Sequence, residues 1–167
     1  MSSTRIANIF FFVIVCGAIA QCVSVFPLLP DRLASHFGPS GMPNGWMSKS
    51  QFFAVYAAVL APALAVEFWV ARRIGKTPEA KIHLPNKEFW LAPERREETF
   101  GYFQSFFAWY GCALLLLLVY VMGLAMSANL DPSPRLPTGP TITAITAFVA
   151  FNVAAVIAMH RRFSVRS

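Results

Sequence analysis

Three histidines, three cysteines and eight acidic residues are the side chains of this 167-residue chain best suited to metal binding or to acid–base chemistry near neutral pH. Their spacing gathers few of them. His36 follows Asp31 at five residues. A histidine changes charge near neutral pH, so the pair suits a sensor, but one imidazole and one carboxylate fall short of the three or four ligands of a zinc site. A structural hydrogen bond is the simpler use of His36. On the far side of the chain's second apolar stretch, Glu94 shares a helix face with both Glu97 and Glu98, and together with His83 these could hold a metal or perform acid–base work. Arg95 and Arg96 interleave them, and solvated ion pairs are the common use of such a run. Cys16, Cys22 and Cys112 show neither metal-ligand spacing nor a disulfide framework. With no nucleophile, base and orienter to name together, no glycine loop for phosphate and no zinc-protease helix, we assign no catalytic residue, no metal and no cofactor.

The elements that position these residues are hydrophobic. Residues 6–26, 52–71, 102–126 and 141–159 are long apolar stretches. As helices they reach roughly 28 to 38 Å, against a hydrocarbon core of about 30 Å. Phe10 to Ala20 and Cys112 to Met126 contain no charged residue on any face, which a soluble amphipathic bundle would require. The expected fold is therefore all-α, a single polytopic membrane domain with four transmembrane helices. Basic residues orient it. Arg5, then Arg72, Arg73, Lys76, Lys81, Lys87, Arg95 and Arg96, then Arg161, Arg162 and Arg166 flank one side, against Arg32, Lys49 and Arg135 on the other. The positive-inside rule then places both termini in the cytoplasm. The net charge of +6 is accounted for by this distribution, which favours anionic headgroups over nucleic acid as the partner. Arg5 followed by an apolar run and Ala18-Ile19-Ala20 resembles a signal peptide, but the run continues through Val25 and Phe26, so an uncleaved first span is expected.

Within the spans, Ser48 and Gln51 stand in capping-box spacing and mark the start of the second helix. Pro62 should kink that helix. Ala57, Ala61 and Ala65 recur every four residues, as do Ala150, Ala154 and Ala158, which predicts that spans two and four meet along these stripes. Glu67 is the sole acidic residue within a span and hence a functional candidate, although Arg72 and Arg73 are close enough for ordinary pairing. Asn152 in span four is the other buried polar group of note, expected to make an interhelical hydrogen bond. No series of acidic or histidine side chains runs through the spans, as an ion pump would need.

Two polar segments remain. In the outer loop 27–49, Asp31 can start a short helix carrying Leu33 and Phe37 and ending at Gly38, Asn44-Gly45 is a turn signal, and Trp46 can anchor at the headgroups. In the cytoplasmic segment 85–99, charge mixes with large apolar groups, and Pro93 suits the first position of a helix that would run about 50 Å to Met126. The second outer connection, 127–140, offers no motif.

The run Pro30, His36, Phe37, Gly41, Pro43, Asn44, Gly45, Trp46 and Lys49 resembles the recurring pattern of a bacterial membrane family, the domain of unknown function numbered 1648, also found at the front of SdpI-type toxin-immunity proteins. Leu33-Ala34 departs from the Ile-Pro that many relatives carry there. The run Pro85, Asn86, Lys87, Phe89, Trp90, Pro93, Glu94, Arg95, Arg96 and Glu97 is similar to members of the same family. The resemblance implies a non-enzymatic protein of the bacterial inner membrane with an immunity or signalling role. Its implied partners, besides the bilayer, are a protein or toxin at the outer face and a cytoplasmic regulator. The alternatives are a membrane-embedded enzyme using the Glu/Arg/His cluster and an accessory subunit of a membrane complex.

Overall fold

The computed structural model describes residues 2–164, with Ala71 described by its backbone alone; Met1 and the basic residue Arg166 lie outside the described residues. In chain order the elements are α1 (Ser3–Val25), strands β1 (Arg32–Phe37) and β2 (Pro43–Ser48), α2 (Lys49–Ala65), a π turn (Val66–Val70), the single turn α3 (Ala71–Arg73), α4 (Lys87–Trp90), α5 (Pro93–Ala128) and α6 (Thr138–Ser164). Four of the helical stretches, Ser3–Leu28, Lys49–Val70, Pro93–Ala128 and Thr138–Ser164, are long and apolar enough to cross a membrane. The chain is a multi-pass helical protein.

Local sequence sets the helix starts. Ser48 accepts from the Gln51 amide at 3.3 Å while Gln51 Oε1 accepts from the Ser48 amide at 3.0 Å, so the capping box forms as its spacing requires. Pro93 occupies the first turn of α5, where its missing N–H has no bond to lose. At 36 residues α5 is about 54 Å long, and its first turns project beyond the apolar section. Pro62 lies inside α2, and the helix answers four residues later by widening into the π turn, a common response to an interrupted ladder.

The hydrogen bonds also fix directions. Ser3 accepts from Ser105 and Trp109 in the first half of α5, whereas Gln21 packs on Gly123 near its end, so α1 and α5 run parallel. Both described chain ends and residues 72–92 therefore share one end of the bundle, while the β1–β2 hairpin and the α5–α6 connection share the other.

The centre of the bundle is an α1–α2–α5 core of Ala7, Phe11, Ala63, Ala108, Cys112 and Leu115. Small residues at Ala7 and Ala108 are fully buried and allow the helices to approach, and Cys112 donates to the Ala7 carbonyl at 3.2 Å. The alanine stripes of α2 and α6 do not do this. Ala57, Ala61, Ala65, Ala150, Ala154 and Ala158 are all exposed, and α6 packs against α5 instead. Close approach is realised where α1 supplies a complementary partner, which spacing alone does not reveal.

The segment after Asp31 forms a strand where a short helix was expected. The seven residues between Pro30 and Gly38 are too few to sustain a helix, and antiparallel pairing with Pro43–Ser48 satisfies their backbone instead. The turn falls at Gly38 to Gly41, closed by a 2.9 Å bond from the Gly41 amide to the Gly38 carbonyl, and the Asn44-Gly45 pair lies within β2. Register shifts flank His36, leaving Ser35 unpaired on one strand and Asn44 on the other. The hairpin seats Leu33 on Leu29, Phe52, Tyr56, Ala125 and Met126, a second core that closes this end of the bundle.

Candidate functional site

The hairpin is built to be rigid. Ala34 is fully buried, and both of its backbone groups bind one side chain: its amide donates to Asn129 Oδ1 at 2.7 Å and its carbonyl accepts from Asn129 Nδ2 at 3.0 Å. The same Nδ2 reaches the Ala125 carbonyl at 2.8 Å, so one amide ties the strand to the end of α5. Asn129 is only 2% exposed. At the turn, the Leu136 amide donates to the Gly41 carbonyl at 2.9 Å. Gly41 has φ of +79°, and a Cβ there would stand 2.3 Å from the Leu136 carbonyl, so only glycine fits. The connection read as carrying no motif is therefore what grips the hairpin from above.

Around this clamp the resembling residues divide. Lys49 begins α2, donates to the Phe26 carbonyl at 3.3 Å, lies over the Phe26 ring and approaches the exposed Asp31 at 4.0 Å. Asp31 does not cap a helix; its carbonyl accepts from the Lys49 amide at 2.8 Å and extends the ladder. His36 meets Ser35 Oγ at 3.1 Å and covers Gly45, where a Cβ would come within 3.0 Å of the ring. Phe37 packs on the second core. Pro30, His36, Asn44 and Trp46 are exposed, and Pro43 is half-buried. The hairpin thus leaves Met42 at 55% and Trp46 at 45% exposure, with His36 exposed as well.

At the opposite end, the segment 85–99 holds the end of α6. Asn86, in a left-handed conformation at φ 51°, donates to the carbonyls of Phe163 at 3.1 Å and Ser164 at 3.2 Å, and Trp90 Nε1 donates to Phe163 at 3.0 Å. The fully buried Phe163 ring sits among Trp90, Tyr102 and Phe103. Thr99 donates to the Trp90 carbonyl at 2.9 Å, fixing α4 on α5. Arg95 stacks on Phe89, Arg96 pairs with Glu79, and Arg162 pairs with Glu98 at 2.7 Å. Pro85, Pro93, Glu94 and Glu97 are exposed, Lys87 is half-buried, and His83 is exposed away from any such pair. Among the described residues, no group of three or more His, Cys, Asp or Glu side chains is placed to hold a metal.

The intramembrane polar groups part from their expectations. Asn152 donates to Phe148, four residues back on its own helix, at 2.6 Å, so it makes no interhelical bond there; a half-buried amide without a facing partner turns to the nearest carbonyl. Glu67 makes no ion pair with Arg72 or Arg73, because the π turn rotates it inward to 3% exposure. With the Asn8 amide oriented so that its nitrogen faces the carboxylate, it donates to Glu67 Oε1 at 2.7 Å and to the Thr4 carbonyl at 2.9 Å. Oε2 has no hydrogen-bond partner. Gly111 makes the room: a Cβ there would lie 3.3 Å from Oε2. Beside the carboxylate is a cavity of about 180 Å³ lined by Thr4, Asn8, Glu67, Arg72 and Gln104.

No curated protein and no solved structure matches the chain. Residues 12–64 match the model of a family described as a domain of unknown function (DUF1648). The match spans most of α1, the hairpin and α2 to within three residues of Glu67, and it leaves segment 85–99 outside. Over residues 12–64, about a third of the chain, the clamped hairpin and the parts of α1 and α2 that flank it are similar to that family.

Proposed function

We propose that this is a non-enzymatic receptor-type protein of the bacterial plasma membrane, with the hairpin at the outer face and both termini in the cytoplasm. The hairpin recognises a membrane-active toxin or a signal at the outer leaflet, and the α4 region presents a surface to a cytoplasmic regulator. One observation carries this reading: the hairpin is locked to the bundle through both backbone groups of Ala34, yet it leaves Trp46, Met42 and His36 exposed. A loop with only a connecting role needs no such anchorage, whereas a recognition surface gains affinity from being held in one conformation before its partner arrives. Aromatic side chains in this setting supply contact area at headgroup level. The excess of basic residues at the other end supports the orientation.

The test is a double substitution, Trp46→Ala with Met42→Ser, in cells challenged with membrane-active peptide toxins. Protection should fall while the amount of protein in the membrane stays constant. Deletion of the gene without change in toxin sensitivity or envelope stress response contradicts the reading.

A further inference from the structure

We propose that the cavity where the chain leaves its second span, between Trp69 and Lys81, binds the phosphate of an anionic lipid headgroup. This is independent of the hairpin's role. A surface cavity of about 600 Å³ is lined there by Trp69, Arg73, Lys76, Thr77, Pro78 and Lys81. Three of the six are cations and none is an anion. Residues 72–87 contain one acidic side chain, Glu79, and it is paired with Arg96 of α5. Among the described residues, Arg73, Lys76 and Lys81 form no ion pair. Like charges around one concavity repel one another, and an anion seated among them relieves that repulsion.

The end of the span sets the depth of this cavity. The apolar helical stretch that begins at Lys49 ends at Val70, so Trp69 lies in its last turn. At about 1.5 to 2 Å per residue through α3 and the 3-10 turn Ile74–Lys76, Arg73 and Lys76 follow about 5 and 10 Å further on, against a headgroup layer of about 5 to 8 Å on each side of the hydrocarbon core. The indole of Trp69 is 60% exposed at that boundary, and the Arg73 guanidinium lies over it, 5.0 Å from the ring centre. A guanidinium restrained in this way keeps its N–H edge for two phosphate oxygens, while each lysine supplies a point charge. The cavity is also held in shape. Ile74 and Ile82 pack on the cluster of Phe100, Phe103 and Phe163, and the Glu79–Arg96 pair ties the segment to α5, so little ordering remains to be done when a ligand arrives. Ethanolamine and choline headgroups would bring a further cation among three, and the one nearby carboxylate is already engaged. A phosphate without a neighbouring ammonium is therefore preferred, and the apolar indole at the end of the span favours a lipid over a soluble phosphate ester.

The experiment is native mass spectrometry of the full chain in detergent with phosphatidylglycerol and phosphatidylethanolamine at equal concentration. Each Lys or Arg beside an anionic headgroup strengthens binding about fivefold, so the wild type should retain the glycerol lipid about tenfold or more over the ethanolamine lipid. Arg73→Gln with Lys76→Gln removes two cations at exposed positions of the cavity and should lower retention of the glycerol lipid about tenfold or more. Arg5→Gln with Arg161→Gln removes the same charge from exposed positions at the same end of the bundle but outside the cavity, and should lower retention far less. Excess free glycerol phosphate should leave the bound lipid in place. Equal retention of the two lipids by the wild type, equal losses in the two double variants, or displacement of the lipid by glycerol phosphate overturns the proposal: the second result would reduce the effect to the general field of the basic residues, and the third would assign the cavity to a soluble ester.

Discussion

Asn129 does with one amide what a neighbouring strand does with two backbone groups. It satisfies the buried N–H and C=O of Ala34 and anchors them to α5. Asn129→Ala strands both groups, and at about 1 to 3 kcal/mol for each buried group left unpaired, the loss should be at least about 2 kcal/mol. It should appear as a lower thermal midpoint in detergent and as faster tryptic cleavage at Arg32. At Gly41, alanine meets both the positive φ and the Leu136 carbonyl, so Gly41→Ala should lower the midpoint. Gly101→Ala, in an exposed helix turn with open space around it, should raise the midpoint by the equivalent of about 0.5 to 1 kcal/mol. The contrast between these residues shows what a sequence can and cannot disclose. The Ser48–Gln51 capping box was legible because its partners are three residues apart. Asn129 was not, because its partner is 95 residues away and lies on an element that the local sequence does not announce.

At the scale of elements, the helices depend on very unequal packing. None of the most apolar part of α6 is buried, so that helix is held chiefly at its end through Phe163 and the Asn86, Trp90 and Arg162 contacts around it. Phe163→Ala should cost about 3 kcal/mol or more. Hydrogen exchange would register this as faster exchange in the last turns of α6 and in α4, with α1 and α5 unchanged. The segment 85–99 was recognised in the sequence as a mixture of charge and apolar bulk. That its apolar groups face α6 was not, because composition does not specify a partner. The hairpin misled for a related reason: Asp31 and Gly38 are good helix boundaries, but the residues between them pair with a strand beyond a turn, and tertiary pairing overrides a weak local preference. Pro62 was read as a kink, whereas the structure shows a π turn four residues on, and the direction in which that turn would swing Glu67 depended on the room left by Gly111.

For the molecule as a whole, hydrophobic length was the most informative signal, since spanning stretches must be continuous and apolar wherever they occur. Residues 6–26, 52–71, 102–126 and 141–159 each fall within or beside an observed helix. The helix ends extend outward by several residues because backbone hydrogen bonding does not stop at the hydrocarbon boundary, and α5 starts at Pro93, the first helical position expected from its proline. The two motif segments proved to belong to opposite ends of one bundle, each closing it over an apolar cluster. The account rests on this bundle lying across a bilayer with its hairpin outside. The most direct test is cysteine accessibility in intact cells, with Cys16 and Cys22 replaced by alanine and a single new cysteine introduced at either of two exposed positions, Met42→Cys or Lys81→Cys. A membrane-impermeant maleimide should label the first in intact cells and the second only after permeabilisation. Labelling of the Lys81 position in intact cells, or equal labelling of both, would contradict it.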